Sequence, residues 1–165
     1  MASVVVEGNQ KQRLTVLEFI DTEAAYTNYL RTFAKSSFVS SFYTHAGVTF
    51  GTKPKLSPSI VSLFSELMDW WKALLRLHED LDAELNQKCF RDAAKRELLP
   101  NSGILLLEAL IKRAPFLKAY AEYCRLHPIV LEVIKKERQN SPLFESLITN
   151  YQTSSEAGGL SIQSF

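Results

Sequence analysis

One carboxylate sits where a helical stripe should be apolar. With residues 16–33 read as a helix, Val16, Phe19, Glu23, Tyr26, Leu30 and Phe33 fall on one face, and Glu23 is the sole charge among them. A charge in such a stripe is costly to bury unless it is paired. Glu23 is therefore either satisfied inside the fold or held at a surface that a partner covers. The three histidines, His45, His78 and His127, are not spaced as metal ligands on one helix. Cys89 and Cys124 form neither a CxxC nor a metal-spaced pair. HExxH, GxSxG, GxGxxG and P-loop patterns are absent, and Gly158-Gly159 alone cannot cradle a phosphate. No catalytic residue, metal site or cofactor is thus expected. His78 lies inside a second apolar stripe, where a core histidine bonded to a backbone group or carboxylate is the ordinary reading.

The elements that must position these residues are helices. The first is expected over residues 13–39, after a flexible polar leader at 1–12. Two glycines and a proline in YTHAGVTFGTKPKL (43–56) mark a loop. Ser57-Pro58 then reads as a cap with proline in the first turn of a helix over 58–87. Ile60, Phe64, Leu67, Trp71, Leu74, His78, Leu81 and Leu85 alternate four and three apart along it. That is a seam for packing against other helices, on a rod of about 45 Å. Residues 86–103 read as a helix end and a connection. A helix over 103–126 bends at Pro115, its apolar face supplied by Leu106, Leu110, Phe116, Leu117, Tyr120 and Cys124. His127-Pro128 punctuates; short helices follow over 129–139 and from Ser141-Pro142 to Tyr151. The closing LSIQSF resembles the first turn of another helix. No sustained alternating run occurs, so the fold class is all-α, an elongated helical bundle.

The chain has 165 residues, enough for one domain with a sizeable core. Apolar residues make up 46% and charged residues 22%, an ordinary globular balance. Nineteen Lys and Arg against eighteen Asp and Glu leave a net charge of +1, which gives no electrostatic case for nucleic acid. No transmembrane segment or signal peptide is legible, and two isolated cysteines fit a reducing compartment. A cytoplasmic protein is the expectation.

Three blocks then point to one family. LEFIDTEAAYTNYL (17–30) resembles the first conserved region of Dbl-homology domains, E-L-(I)-x-T-E-x-x-Y-V-x-x-L, through Glu18, Ile20, Thr22, Glu23, Tyr26 and Leu30; Phe19 and Thr27 depart in type. LSPSIVSLFSELMDWWKALLRLHEDLDAEL (56–85) is similar to the second block through Phe64, His78, Leu81 and Leu85. Residues 104–148 resemble the third through Lys118, Tyr120, Tyr123, Cys124 and Phe144. The blocks stand in the right order over residues 13–165. In that family LSIQSF would be followed by an L-I-x-P-V-Q-R-x-x-R-Y signature and a long helix, so the expectation is a domain incomplete at its C-terminus.

The resemblance implies a guanine nucleotide exchange domain acting on a Rho/Rac/Cdc42-type small GTPase. Such a domain catalyses by binding, without covalent chemistry: it docks on the switch regions, displaces Mg²⁺ and lets GDP leave. It implies that Glu23, with Thr22 and Thr27, contacts the switch region, Glu23 being at least partly exposed. Tyr26, Phe64, Trp71 and His78 would form the core seam. The truncation implies a poor exchange factor that self-associates through its open apolar flank. The competing readings are an exchange-inactive helical scaffold and an unrelated bundle with a small-molecule pocket.

Overall fold

The computed structural model describes residues 2–47 and 55–155, with side chains from residue 10 onward. Half of the loop expected at 43–56 (residues 48–54) and the helical turn expected at LSIQSF lie outside the described residues. The all-α expectation holds: among the described residues, six α-helices carry the fold, with one two-stranded hairpin. They are α1 (Ala2–Ala34), α2 (Ser37–His45), α3 (Pro58–Lys88), α4 (Ser102–Arg113), α5 (Lys118–Asn140) and α6 (Pro142–Thr153).

The first helix starts at Ala2, well before the boundary near residue 13, and stops at Ala34 rather than 39. The stop is written in Ser36. Its extended backbone (φ −64°, ψ 155°) leaves the helix, and its hydroxyl accepts from the Val39 amide, opening α2. Gly47, at φ 75°, closes the turn after α2, with its amide donating to the Thr44 carbonyl at 3.2 Å. Ser36→Ala is expected to cost about 1 kcal/mol, read as a shift in urea midpoint with unchanged slope.

The third helix matches the sequence reading closely. All eight seam residues, from Ile60 to Leu85, are buried. Ser57 accepts the first backbone bond of the helix, from Val61 at 3.2 Å. Its hydroxyl donates instead to Glu137 Oε2 on α5 at 2.7 Å.

Residues 86–103 depart from the expected plain connection. Phe90–Asp92 (β1) and Glu97–Leu98 (β2) form an antiparallel hairpin, with Phe90 opposite Leu98. The turn bends at Arg96, a non-glycine residue at φ 54°. Its guanidinium is anchored to Asp21 at 2.8 Å and lies over the Phe90 ring. These strands are too short to show an alternating pattern.

Proline 128 does not punctuate. The fifth helix runs through it. Proline removes the bond to the carbonyl four residues back, here that of exposed Cys124, so water can satisfy that group. Leu126, Val130 and Ile134 on the inner face are buried and hold the helix on course. The expected apolar face of the preceding stretch is also corrected. Ala114–Leu117 is a 3₁₀ turn, which resets the helical phase. Phe116, Leu117 and Cys124 are consequently exposed.

The described fold divides into two compact units, each made of two separate stretches of chain. The first comprises Met1–Tyr29 and Leu75–Leu117. Its core joins Val16 and Ile20 of α1, Leu81 and Leu85 of α3, and Leu106 and Ala109 of α4, closed by Cys89, Phe90 and Leu98. The opposite face of α4 is apolar too, and Ile104, Leu107 and Ile111 stand exposed there. The second comprises Leu30–Leu74 and Lys118–Phe165. Its centre is aromatic: Phe42 and Phe64 lie 4.2 Å apart, and Phe33 lies 4.7 Å from Trp71. The sixth helix packs on α2 and α5, capped by Ser141, whose hydroxyl accepts from Phe144 N.

Candidate functional site

The first unit holds the carboxylate singled out by the sequence. Buried positions on α1 run Val16, Ile20, Glu23, Thr27, Leu30 and Phe33. Four of the six expected stripe residues are among them, while Ile20 and Thr27 take the places of Phe19 and Tyr26, which flank the stripe half-buried. Glu23 is 8% exposed. The expectation that it stands partly at the surface is therefore corrected. It is held inside because His78, on the seam of α3, donates from Nδ1 to its Oε1. Tyr26 meets the His78 ring edge-on, centroids 4.8 Å apart.

The remaining expected contacts divide. Thr22 is exposed beside Glu23. Thr27 is only 1% exposed, and its hydroxyl has no hydrogen-bond partner among the described residues. Phe64, Trp71 and His78 are buried on α3, whereas Tyr26 is half-buried at the edge of the α1 stripe.

The Glu23–His78 pair was not linked by sequence reasoning, although each member stood out. Each is the one ionisable group on the buried face of its helix seam as read from the sequence. Two such residues on two helices of one bundle are natural partners, because burial leaves each of them needing the other.

A second polar centre in the same unit gave a fainter signal. Glu84 accepts from Lys88 Nζ at 2.7 Å, four residues along α3. Arg113 reaches its other oxygen at 2.7 Å, and Lys112 lies 3.3 Å from that oxygen. The hydrogen bond from Lys88, then that from Arg113, holds the Glu84 carboxyl down at about 2. Arg113 also donates to the carbonyls of Ala109 and Asp80, tying the end of α4 to α3. Burial, followed by the Glu84 charge, pushes the Cys89 thiol up, so it is a poor nucleophile. Among the described residues, no cluster of His, Cys, Asp or Glu could hold a metal ion. No helix among them is long and apolar enough to cross a membrane.

The arrangement offers a carboxylate fixed by an imidazole on the first long helix, beside an exposed threonine. It holds no activated nucleophile. The RhoGEF domain family model matches residues 15–165, nearly the whole chain. The chain belongs to the RhoGEF domain family. This RhoGEF domain is also similar to human FYVE, RhoGEF and PH domain-containing protein 2, with 36% identity over 56 residues. That match covers 34% of this chain and 8% of the relative, so the chain spans a small part of that protein. No solved structure matches the chain.

Proposed function

We propose that this RhoGEF domain promotes GDP release from a Rho-family small GTPase, acting by binding alone. The family match over residues 15–165 carries this reading. In this reading Glu23 and its exposed neighbour Thr22 form the switch-contacting face, and Thr22 marks where a partner reaches it, whereas Thr27 is buried away from that face. The domain binds the nucleotide-free GTPase more tightly than the GDP-bound form, and only that difference drives exchange. No covalent step and no cofactor is required of the chain.

The test is release of a fluorescent GDP analogue from Rho-, Rac- and Cdc42-type GTPases, with binding to each measured in its nucleotide-free and GDP-loaded forms. The expected result is accelerated release from at least one of them, with tighter binding to its nucleotide-free form. No acceleration and no preference across the panel would overturn the proposal.

Burial of Glu23 and Thr27 favours a second reading, an exchange-inactive scaffold. That reading predicts equal affinity for the two nucleotide states and no release.

A further inference from the structure

Glu23 cannot be understood without His78. The Glu23 side chain is 9% exposed and the His78 side chain 11%. A carboxylate with so little water around it needs a donor, and His78 Nδ1 supplies it at Oε1. A glutamate side chain turns about three bonds, so this hydrogen bond selects one orientation from many. Tyr26, edge-on to the imidazole, in turn limits the ring plane. Leu74 and Leu81, before and after His78 on its seam, are 1% and 4% exposed, which keeps the imidazole in a packed part of α3.

We propose that His78 is the positioning residue of the exchange surface: it occupies one oxygen of Glu23 and sets the direction in which the carboxylate meets an incoming GTPase. The inference rests on the reading of Glu23 as a switch contact. It differs from a purely structural role for His78 because it requires the donor at the Nδ1 position, and not merely a ring that fills the seam. Fixed neighbours that orient metal ligands change affinity or activity about 10–100-fold, and a contact carboxylate that must be held in one direction calls for support of the same kind.

The whole chain carries the test. His78→Phe keeps a ring against Tyr26 and removes the donor. His78→Asn places an amide N–H near the Nδ1 position and restores it. These variants, Glu23→Ala, and the Glu23→Ala/His78→Phe pair are compared in GDP release and in affinity for the nucleotide-free GTPase, with circular dichroism melts to verify folding. The expected result is about a tenfold loss in His78→Phe, substantial recovery in His78→Asn, and a double variant no weaker than Glu23→Ala alone.

A parental rate and affinity in His78→Phe would overturn the inference, as would equal losses in His78→Phe and His78→Asn or multiplying losses in the double variant. Faster exchange in His78→Phe would overturn it too, since the imidazole would then hold Glu23 back. Should His78→Phe fail to fold, His78→Asn decides: near-parental function sustains the proposal, and a loss matching Glu23→Ala ends it. Parental behaviour of Glu23→Ala, or no binding by the parental chain, defeats the reading of Glu23 itself. Loss in Glu23→Ala without loss in a folded His78→Phe defeats only the role of His78.

Discussion

Trp71→Ala is expected to lower the unfolding free energy by about 3–5 kcal/mol, the range for a deleted core aromatic. Trp71 is 2% exposed, and its indole N–H donates to the Leu30 carbonyl at 2.9 Å. Its ring lies 4.7 Å from Phe33 and 5.9 Å from Tyr123, so it joins α1, α3 and α5 within the second unit. A void of about 20 Å³ already lies among Phe33, Phe64, Trp71 and His127. Truncation enlarges it, and aromatic rings around the site collapse into such a space poorly. Trp71→Phe keeps most of the area and loses the hydrogen bond, so a smaller loss of about 1–2 kcal/mol is expected. Urea denaturation followed by circular dichroism measures both. A loss below about 1 kcal/mol for the alanine variant would remove Trp71 from the centre of the core.

Arg113→Met is the second large effect, expected at about 2–4 kcal/mol. Arg113 is 9% exposed at its side chain, and its guanidinium meets Glu84 and the carbonyls of Ala109 and Asp80. Methionine matches the stem of the side chain and supplies none of those donors. Removing one member of a nearly buried pair leaves the other short of partners. Lys88 and Lys112 still face Glu84, which keeps the loss below the full penalty for a stranded charge.

The same pair fixes an acid response. The Glu84 carboxyl stands at about 2 in the folded chain against an ordinary 4.5. The unfolded chain therefore takes up its proton first as pH falls. The stabilisation is complete above about pH 4.5 and is lost on the way down to about pH 2, amounting to about 1–2 kcal/mol once solvent around the two lysines is allowed for. Arg113→Met raises the folded value and shrinks this term. Its stability should fall less between pH 5.5 and pH 3 than that of the parental chain. An equal or steeper fall would show that Arg113 does not govern Glu84.

What sequence could show depended on the distance over which each signal acts. The seam of α3 repeats over eight positions, and tertiary packing used every one of them. Trp71 and Phe64 were legible for that reason. The break at Ser36 is marked only locally, by a cap-type residue and a five-residue step from Phe33 to Phe38 that departs from the three-four spacing. Pro128 misled in the opposite direction: its lost bond faces water, and three buried neighbours outweigh it. The hairpin at Phe90–Leu98 is too brief for periodicity to register. Glu23 was recognised as anomalous from its own stripe. Its burial depends on a residue 55 positions away, and neither stripe alone encodes that pairing.

The division of the chain bears on how it is made. Each unit is assembled from two stretches, and the stretches alternate along the sequence. On a ribosome, Met1–Tyr29 emerges without the Leu75–Leu117 stretch that completes its core. At about 5–20 residues per second, the intervening residues 30–74 impose a wait of roughly 2–9 s. Throughout it, the inward faces of Val16 and Ile20 have no native neighbours from α3 or α4. The nascent chain is thus open to chaperones at these faces until the second stretch emerges, and slowing translation within residues 30–74 should lengthen that exposure more than slowing it after residue 117.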